Sequence, residues 1–250
     1  MKIAFITGAN RGLGRQAAIE LARKNINIVF TYRSNQQEAM ELVKELKNLD
    51  VKAKALQLDM KQHASYPTFI ESLQSSLRED FASDKIDYFL NNAGHALYSS
   101  IEDTSEEAFD DIIDVHFKGI FFLTQKLLPL LNDGASILNV SSGLARFSYP
   151  GYAVYASTKT AVETLTKYLA VELAARKIRV NCIAPGAIAT DFGGGQVRDT
   201  KALNDTIASN TALGRVGLPE DIGPIMAEIL AGNLNWVNGQ RIEASGGIHL

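Results

Sequence analysis

Ile3-Ala4-Phe5-Ile6-Thr7, followed at once by Gly8-Ala9-Asn10-Arg11-Gly12-Leu13-Gly14, is the stretch on which the fold reading turns. The first residues form an apolar run without alternation, which reads as a strand buried on both faces, as in a parallel sheet. After the third glycine, Ala17, Ala18, Leu21 and Ala22 recur at helical spacing. A glycine-rich turn between a buried strand and a helix lets a pyrophosphate approach the backbone at the positive end of the helix dipole. The spacing is G-x-x-x-G-x-G rather than the common dinucleotide fingerprint G-x-G-x-x-G. By itself it is equally a plain surface turn.

The rest of the chain repeats the alternation. Ile26–Thr31 reads as a second strand, 36–48 as an amphipathic helix and Lys54–Leu58 as a third strand ending at Asp59. A helix over 66–81 leads to Tyr88–Leu90, which runs into Asn91-Asn92-Ala93-Gly94. One long helix is expected over 105–131, then a strand at Ser136–Val140 closed by Ser141-Ser142-Gly143. A helix over roughly 152–175, a strand at Arg179–Ala184 ending in Pro185-Gly186, a helix at Pro219–Leu230 and a strand at Gln240–Glu243 complete the pattern. This rhythm implies an α/β protein: a Rossmann-type doubly wound parallel sheet of about seven strands flanked by helices, one domain over residues 1–250. Ligands in such sheets bind outside the carboxyl ends of the strands. Between 187 and 215 the pattern dissolves around Gly193-Gly194-Gly195, as expected of a substrate loop or lid.

Composition narrows the function classes. The 250 residues are 46% hydrophobic and 21% charged, and a formal net charge of -3 makes no electrostatic case for nucleic acid or anionic membrane as partner. Cys182 is the only cysteine, so no intrachain disulfide can form. The apolar run before Gly8 is too short for a signal segment, and no apolar stretch is long enough to span a bilayer. A cytoplasmic location without a metal site is expected.

Tyr155-Ala156-Ser157-Thr158-Lys159, with Ser142 thirteen residues upstream, carries the chemistry. On a helix, Tyr155 and Lys159 lie one above the other. A lysine cation beside a phenol favours the phenolate, so the tyrosine pKa is expected to fall towards neutrality, where it can exchange a proton with a carbonyl or alcohol oxygen. Ser142 can orient the same oxygen. No Asp or Glu occurs between Glu20 and Glu38, where an NAD-preferring protein carries its ribose-binding acid. Arg33, beside Ser34, and Arg11 suit a 2′-phosphate instead. NADP(H) is the expected cofactor, with NAD(H) possible.

Taken in order, Thr7–Gly14, Asp59, Asn91-Asn92-Ala93-Gly94, Ser142, Tyr155 with Lys159, and Pro185-Gly186 followed by Thr190 resemble the motifs of the short-chain dehydrogenase/reductases over nearly the whole chain. The resemblance implies that Gly8, Gly12 and Gly14 cradle the cofactor pyrophosphate, with Asn10, Arg11 and Leu13 of the same turn also binding the cofactor. It places Asp59 and Met60 at the adenine, Asn91 at the adenosine ribose with Ala93 and Gly94 nearby, and Pro185, Gly186, Ile188 and Thr190 by the nicotinamide. It makes Tyr155 the acid/base, Ser142 the orienting hydroxyl and Lys159 a ligand of the nicotinamide ribose that also lowers the tyrosine pKa. It further implies a homotetramer or homodimer acting on a small carbonyl or alcohol substrate. One position departs: the family's Asn-x-x-Gly reads His116-Phe117-Lys118-Gly119 here, so His116 stands where an asparagine would hold a relay water. A neutral imidazole donates at one nitrogen and accepts at the other, so His116 either serves the same relay or packs between helices with one satisfied hydrogen bond. His95, Leu97, Leu144, Arg146, Tyr149, Tyr152 and Phe192 are candidates for the substrate pocket. The alternatives are an NAD-dependent alcohol dehydrogenase and a cofactor-binding regulatory protein with little turnover.

Overall fold

The computed structural model describes residues 1–250. Seven strands form one sheet: β1 (Ile3–Ile6), β2 (Asn27–Tyr32), β3 (Ala53–Gln57), β4 (Ile86–Asn91), β5 (Leu131–Val140), β6 (Arg179–Pro185) and β7 (Arg241–Ala244). Their order is β3-β2-β1-β4-β5-β6-β7, and every pair is parallel. β1 and β2 are buried along their whole length, as strands covered on both faces must be. The order reverses between β1 and β4, which is the switch point at which such sheets bind ligands.

The helices α1 (Gly12–Arg23), α2 (Gln36–Lys47), α3 (Tyr66–Phe81), α4 (Glu106–Ile113), α5 (Gly119–Leu127), α6 (Ala153–Glu172), α7 (Gln196–Asp199), α8 (Lys201–Ser209) and α9 (Pro219–Ala231) complete the chain. Two apolar cores result, one on each face of the sheet. Ala18, Leu21, Leu42, Met226 and Leu230 pack with Ile28 and Phe30 on one side. Leu73, Leu77, Leu123 and Leu127 pack with Phe5, Phe89 and Ile137 on the other. Local signals set several helix starts: the Asn35 side chain accepts from Glu38 N at 3.2 Å, and Ser105 Oγ accepts from Ala108 N at 3.2 Å, with Glu106 and Glu107 in the first turn.

Two expectations change. The helix expected over 105–131 is broken by a π turn at Asp114–Lys118, where the Gly119 N–H reaches back five residues to the Asp114 carbonyl. His63 Nε2 lies 3.0 Å from the same oxygen, and Pro129 ends the helical path so that β5 begins at Leu131. The segment 187–215 is not patternless. It holds a 3-10 turn at Phe192–Gly195, then α7 and α8, and is tied down by bridges of Ile188 to Gly217 and Thr211 to Ile248. The turn depends on Gly193 and Gly194, both at positive φ, whose three-glycine run hides the helical spacing that follows.

Candidate active site

The carboxyl ends of β1, β4, β5 and β6 bring most of the expected residues to one edge. Thr7 Oγ1 accepts from both Asn92 N and Ala93 N at 3.0 Å. Asn92 Nδ2 donates back to the carbonyls of Thr7 at 3.0 Å and Gly8 at 2.8 Å. The loops after β1 and β4 are therefore laced together. A side chain at Gly14 would overlap Asn92 and the Gly8 carbonyl, which is the physical demand behind the third glycine. Thr190 sits across from Gly12, with its Oγ1 accepting from Phe192 N at 3.2 Å. Arg11 and Arg33 are exposed. Neighbouring arginines, by contrast, are engaged: Arg15 pairs with Glu45 and Arg23 with Glu20.

The catalytic candidates meet beside this cradle. Ser142 follows β5 in extended conformation, and its Oγ accepts from Leu144 N at 3.2 Å. Tyr155 (7% exposed) stands in the first turn of α6, and Lys159 (3% exposed) one turn on. Lys159 Nζ donates to the Val140 carbonyl at 2.7 Å and lies 5.6 Å from the Tyr155 ring centroid. Burial pushes the Tyr155 phenol up, with the Ser142 hydroxyl acting the other way. The expected drop towards neutrality is thus reversed. The lysine cation is spent on a carbonyl rather than on the phenol oxygen, and desolvation prevails. Burial also pulls Lys159 down to about 8.

The π turn swings His116 inward until it is 1% exposed. Its Nε2 lies 2.8 Å from the His95 carbonyl and 3.1 Å from the His95 amide. Its ring meets Tyr155 edge-on at 5.4 Å. Any side chain at residue 94 would collide with the imidazole, so Gly94 is required by this packing as well as by its motif. Burial, and after it the charge of Lys159, hold the His116 pKa well below 6.5. The ring is therefore neutral. Assigned from the short contact to the His95 carbonyl, its proton sits on Nε2 and leaves a lone pair on Nδ1, which is buried without a partner.

Five candidates are engaged elsewhere in the protein. The Asn91 side chain turns into the interior, donating to Asn139 Oδ1 at 2.8 Å, so it does not face the adenosine ribose. Met60 packs in the core beneath α3, leaving its backbone to the edge, and its carbonyl accepts from Tyr66 Oη at 2.7 Å. Asn10 Nδ2 is engaged by Glu38 Oε2 at 2.7 Å. Arg146 does not point at a substrate: it grips Glu243 with Nε at 2.8 Å and Nη2 at 2.7 Å. His95 is likewise engaged, its Nε2 2.5 Å from Asp111 Oδ2, although its backbone holds His116. Of the other pocket candidates, Phe192 lies 6.0 Å from Tyr155, ring to ring, and Tyr152 packs edge-on against Tyr98 at 5.4 Å. Tyr98 and Asn92 had no role in the sequence reading. For Asn92 the signal was available in the doubled Asn91-Asn92, only one of which can face the loop.

A family model described as enoyl-(acyl carrier protein) reductase matches residues 8–249. The hydroxynaphthalene reductase-like protein Arp2 of Metarhizium brunneum is 33% identical, with 98% of this chain and 94% of that protein covered. The chain is a short-chain dehydrogenase/reductase. Among solved structures, the promiscuous reductase LugOII, which catalyses keto-reduction at C1 in lugdunomycin biosynthesis, superposes on this reductase with a TM-score of 0.94 at 32% identity, covering 100% of this chain and 98% of that one. The angucycline C-6 ketoreductase LanV with bound NADP reaches 0.94 at 28% identity, covering 99% and 95%. No helix of the reductase is long and apolar enough to cross a membrane.

The neutrality of His116 has a thermodynamic consequence. Below about 6.5 the unfolded chain takes up a proton that the folded chain refuses, so stability is complete above that pH and is lost as pH falls through it. Thermal melts between roughly pH 7 and pH 5 should show a steeper drop in midpoint for the wild type than for His116→Asn. Parallel slopes would place the acid sensitivity in another group.

Proposed function

We propose that this reductase transfers a hydride from NADPH to the carbonyl of an aromatic, ring-fused ketone, with Tyr155 as the proton donor. The observation that carries the reading is the buried Tyr155 phenol, kept neutral by its surroundings and placed between Ser142 and Lys159 at the sheet edge. A neutral phenol is the form needed to protonate a nascent alkoxide, which favours the reductive direction.

The chain fits the cofactor. The turn passes through Gly8 and Gly12 at positive φ, the first turn of α1 carries no acidic side chain to repel a phosphate, and Arg11 and Arg33 are exposed cations for a 2′-phosphate. When bound, NADPH supplies the hydride. Ser142 Oγ donates to the substrate oxygen and fixes its position. Tyr155 Oη releases its proton to that oxygen as negative charge develops there. The Lys159 ammonium, nearby in a dry site, stabilises the phenolate left behind. His116 Nδ1, a buried acceptor, is suited to hold the water through which the proton is replaced. Burying a lone pair without a donor costs roughly 1–3 kcal/mol, which favours such an occupant.

The substrate class rests on the ring-lined mouth and on the relatives. Phe192 packs against Tyr155, and Tyr152, three residues before Tyr155 on the chain, packs against the exposed Tyr98, an aromatic surface that suits a planar ligand held by stacking. Two relatives whose names refer to hydroxynaphthalene and angucycline reduction support a fused-ring ketone. For assembly, Phe109, Phe121, Tyr168 and Val171 expose apolar surface on α4, α5 and α6, which supports a homodimer or homotetramer built on these helices.

A panel of tetralones, phenanthrenequinone and simple aliphatic ketones, followed by nicotinamide absorbance, should show the fused-ring compounds turned over fastest. In the same assay Tyr155→Phe should lose at least about a hundredfold in kcat while NADPH still binds; a variant retaining more than about a tenth would remove Tyr155 from the acid role. Arg33→Ala should weaken NADPH roughly ten- to a hundredfold and leave NADH nearly unchanged, whereas equal losses would make Arg33 structural. Sedimentation of the purified enzyme should give a dimer or tetramer, and a monomer at micromolar concentration would reject the helical interface.

A further inference from the structure

Behind the catalytic serine lies a set of charged groups that the reaction does not use. Glu243, on β7, receives both prongs of Arg146 and, at Oε2, Arg241 Nη1 at 2.9 Å, while its Oε1 also accepts from Ser245 Oγ at 2.8 Å. Arg241 continues the chain, with Nε on Glu163 Oε1 at 2.7 Å and Nη2 at 3.5 Å from the Ser142 carbonyl. Glu163 lies one turn beyond Lys159 on α6, and its Oε1 accepts from Ser141 Oγ at 2.7 Å. The residue before the catalytic serine is thus tied to the helix that carries Tyr155 and Lys159.

The other end of the chain reaches the lid. Arg146 donates Nη2 to the Ile248 carbonyl at 2.7 Å and Nη1 to the His249 carbonyl at 2.9 Å. The same short segment is paired with the end of the 187–215 region: Ala212 N donates to the Gly247 carbonyl at 3.2 Å, Leu213 N to the Gly246 carbonyl at 3.1 Å, and His249 N to the Asn210 carbonyl at 3.0 Å. The His249 ring stacks edge-on against Phe147 at 4.7 Å. Tail segment and serine turn therefore meet at one guanidinium, the tail links it to the 187–215 region, and Glu243 holds that guanidinium in a two-pronged geometry of the strong kind. The arginine charges hold the Glu243 carboxyl down to about 2, so it remains ionised at any working pH.

We propose that the Arg146–Glu243–Arg241–Glu163 network is a clasp that positions Ser142 against Tyr155 and couples that position to the lid. These are positioning residues: none of them touches the reacting atoms. The proposal rests on the reading of Ser142 as the hydroxyl that meets the substrate oxygen. Displacing such a hydroxyl by a fraction of an ångström costs rate without costing cofactor binding.

The test is a double-mutant cycle on the full-length enzyme, using the ketone reduced fastest in the panel above. Glu243→Gln keeps the shape of the side chain and removes its charge. It should lower kcat about tenfold, leave the NADPH Kd from fluorescence titration within about twofold, and cost less than about twofold when introduced into Ser142→Ala. Equal losses in both backgrounds would mean general destabilisation and overturn the clasp, as would an unchanged kcat in the single variant. Full kcat in Ser142→Ala would instead overturn the reading of the serine, and the clasp with it. Should Glu243→Gln fail to fold by circular dichroism, Arg146→Lys, which keeps the cation but loses the second prong, takes its place in the same cycle under the same criteria.

Discussion

A lysine ammonium buried with a carbonyl oxygen as its hydrogen-bond partner is the constraint that the rest of the site answers to. Lys159 has no carboxylate beside it, and a cation in that position is unfavourable unless fixed dipoles offset the lost water. The Val140 carbonyl, at the end of a strand, is one such dipole. What is lost in stability reappears as field strength, because a charge acts far more strongly on its neighbours where water is excluded. The protonation of the neighbours follows. His116 is driven to the neutral form by burial and, after it, by this charge, which lies 5.6 Å from the Tyr155 ring centroid.

Precision in that arrangement comes from polar ladders inside the protein. Asn91 on β4 donates to Asn139 on β5, and Asn139 Nδ2 donates in turn to Thr166 Oγ1 on α6 at 2.9 Å. Three elements are thereby fixed in register by side chains that are almost wholly buried. An apolar core of the same volume would hold α6 against the sheet but allow it to slide along its own axis. Directional bonds forbid the slide, and Tyr155 and Lys159 inherit their position from them.

The fold was legible because the strands are buried on both faces, and such strands announce themselves as apolar runs: Ile3–Ile6, Ile28–Phe30 and Val180–Ala184 need no tertiary information to be read. The edge on which ligands bind follows from that reading alone, and Gly8, Ser142 and Thr190 lie on it. Side-chain direction was not legible. Asn91 and Asn92 are equivalent letters, yet strand alternation sends one inward and leaves the other to lace two loops. Arg146 read as a potential substrate ligand because its partner, Glu243, stands 97 residues away on another strand. The π turn was invisible for a related reason: the groups that meet it, His63 at the Asp114 carbonyl and the Met60 carbonyl and Tyr66 hydroxyl against Gly119, come from an earlier part of the chain, and no breaker stands in the helix itself.

The position of β1 has a consequence for how the chain is made. Thr7 hydrogen-bonds to Leu90, 83 residues later, and until β4 is available β1 has a partner on one side only. The strand that ends at the centre of the sheet is therefore an open, apolar edge until Ile86–Asn91 has been synthesised and has paired with it. Parallel pairings across such distances form slowly, because a long loop must close before any contact rewards it. Until then the seam at the switch point between β1 and β4 is an edge open to pairing with another copy.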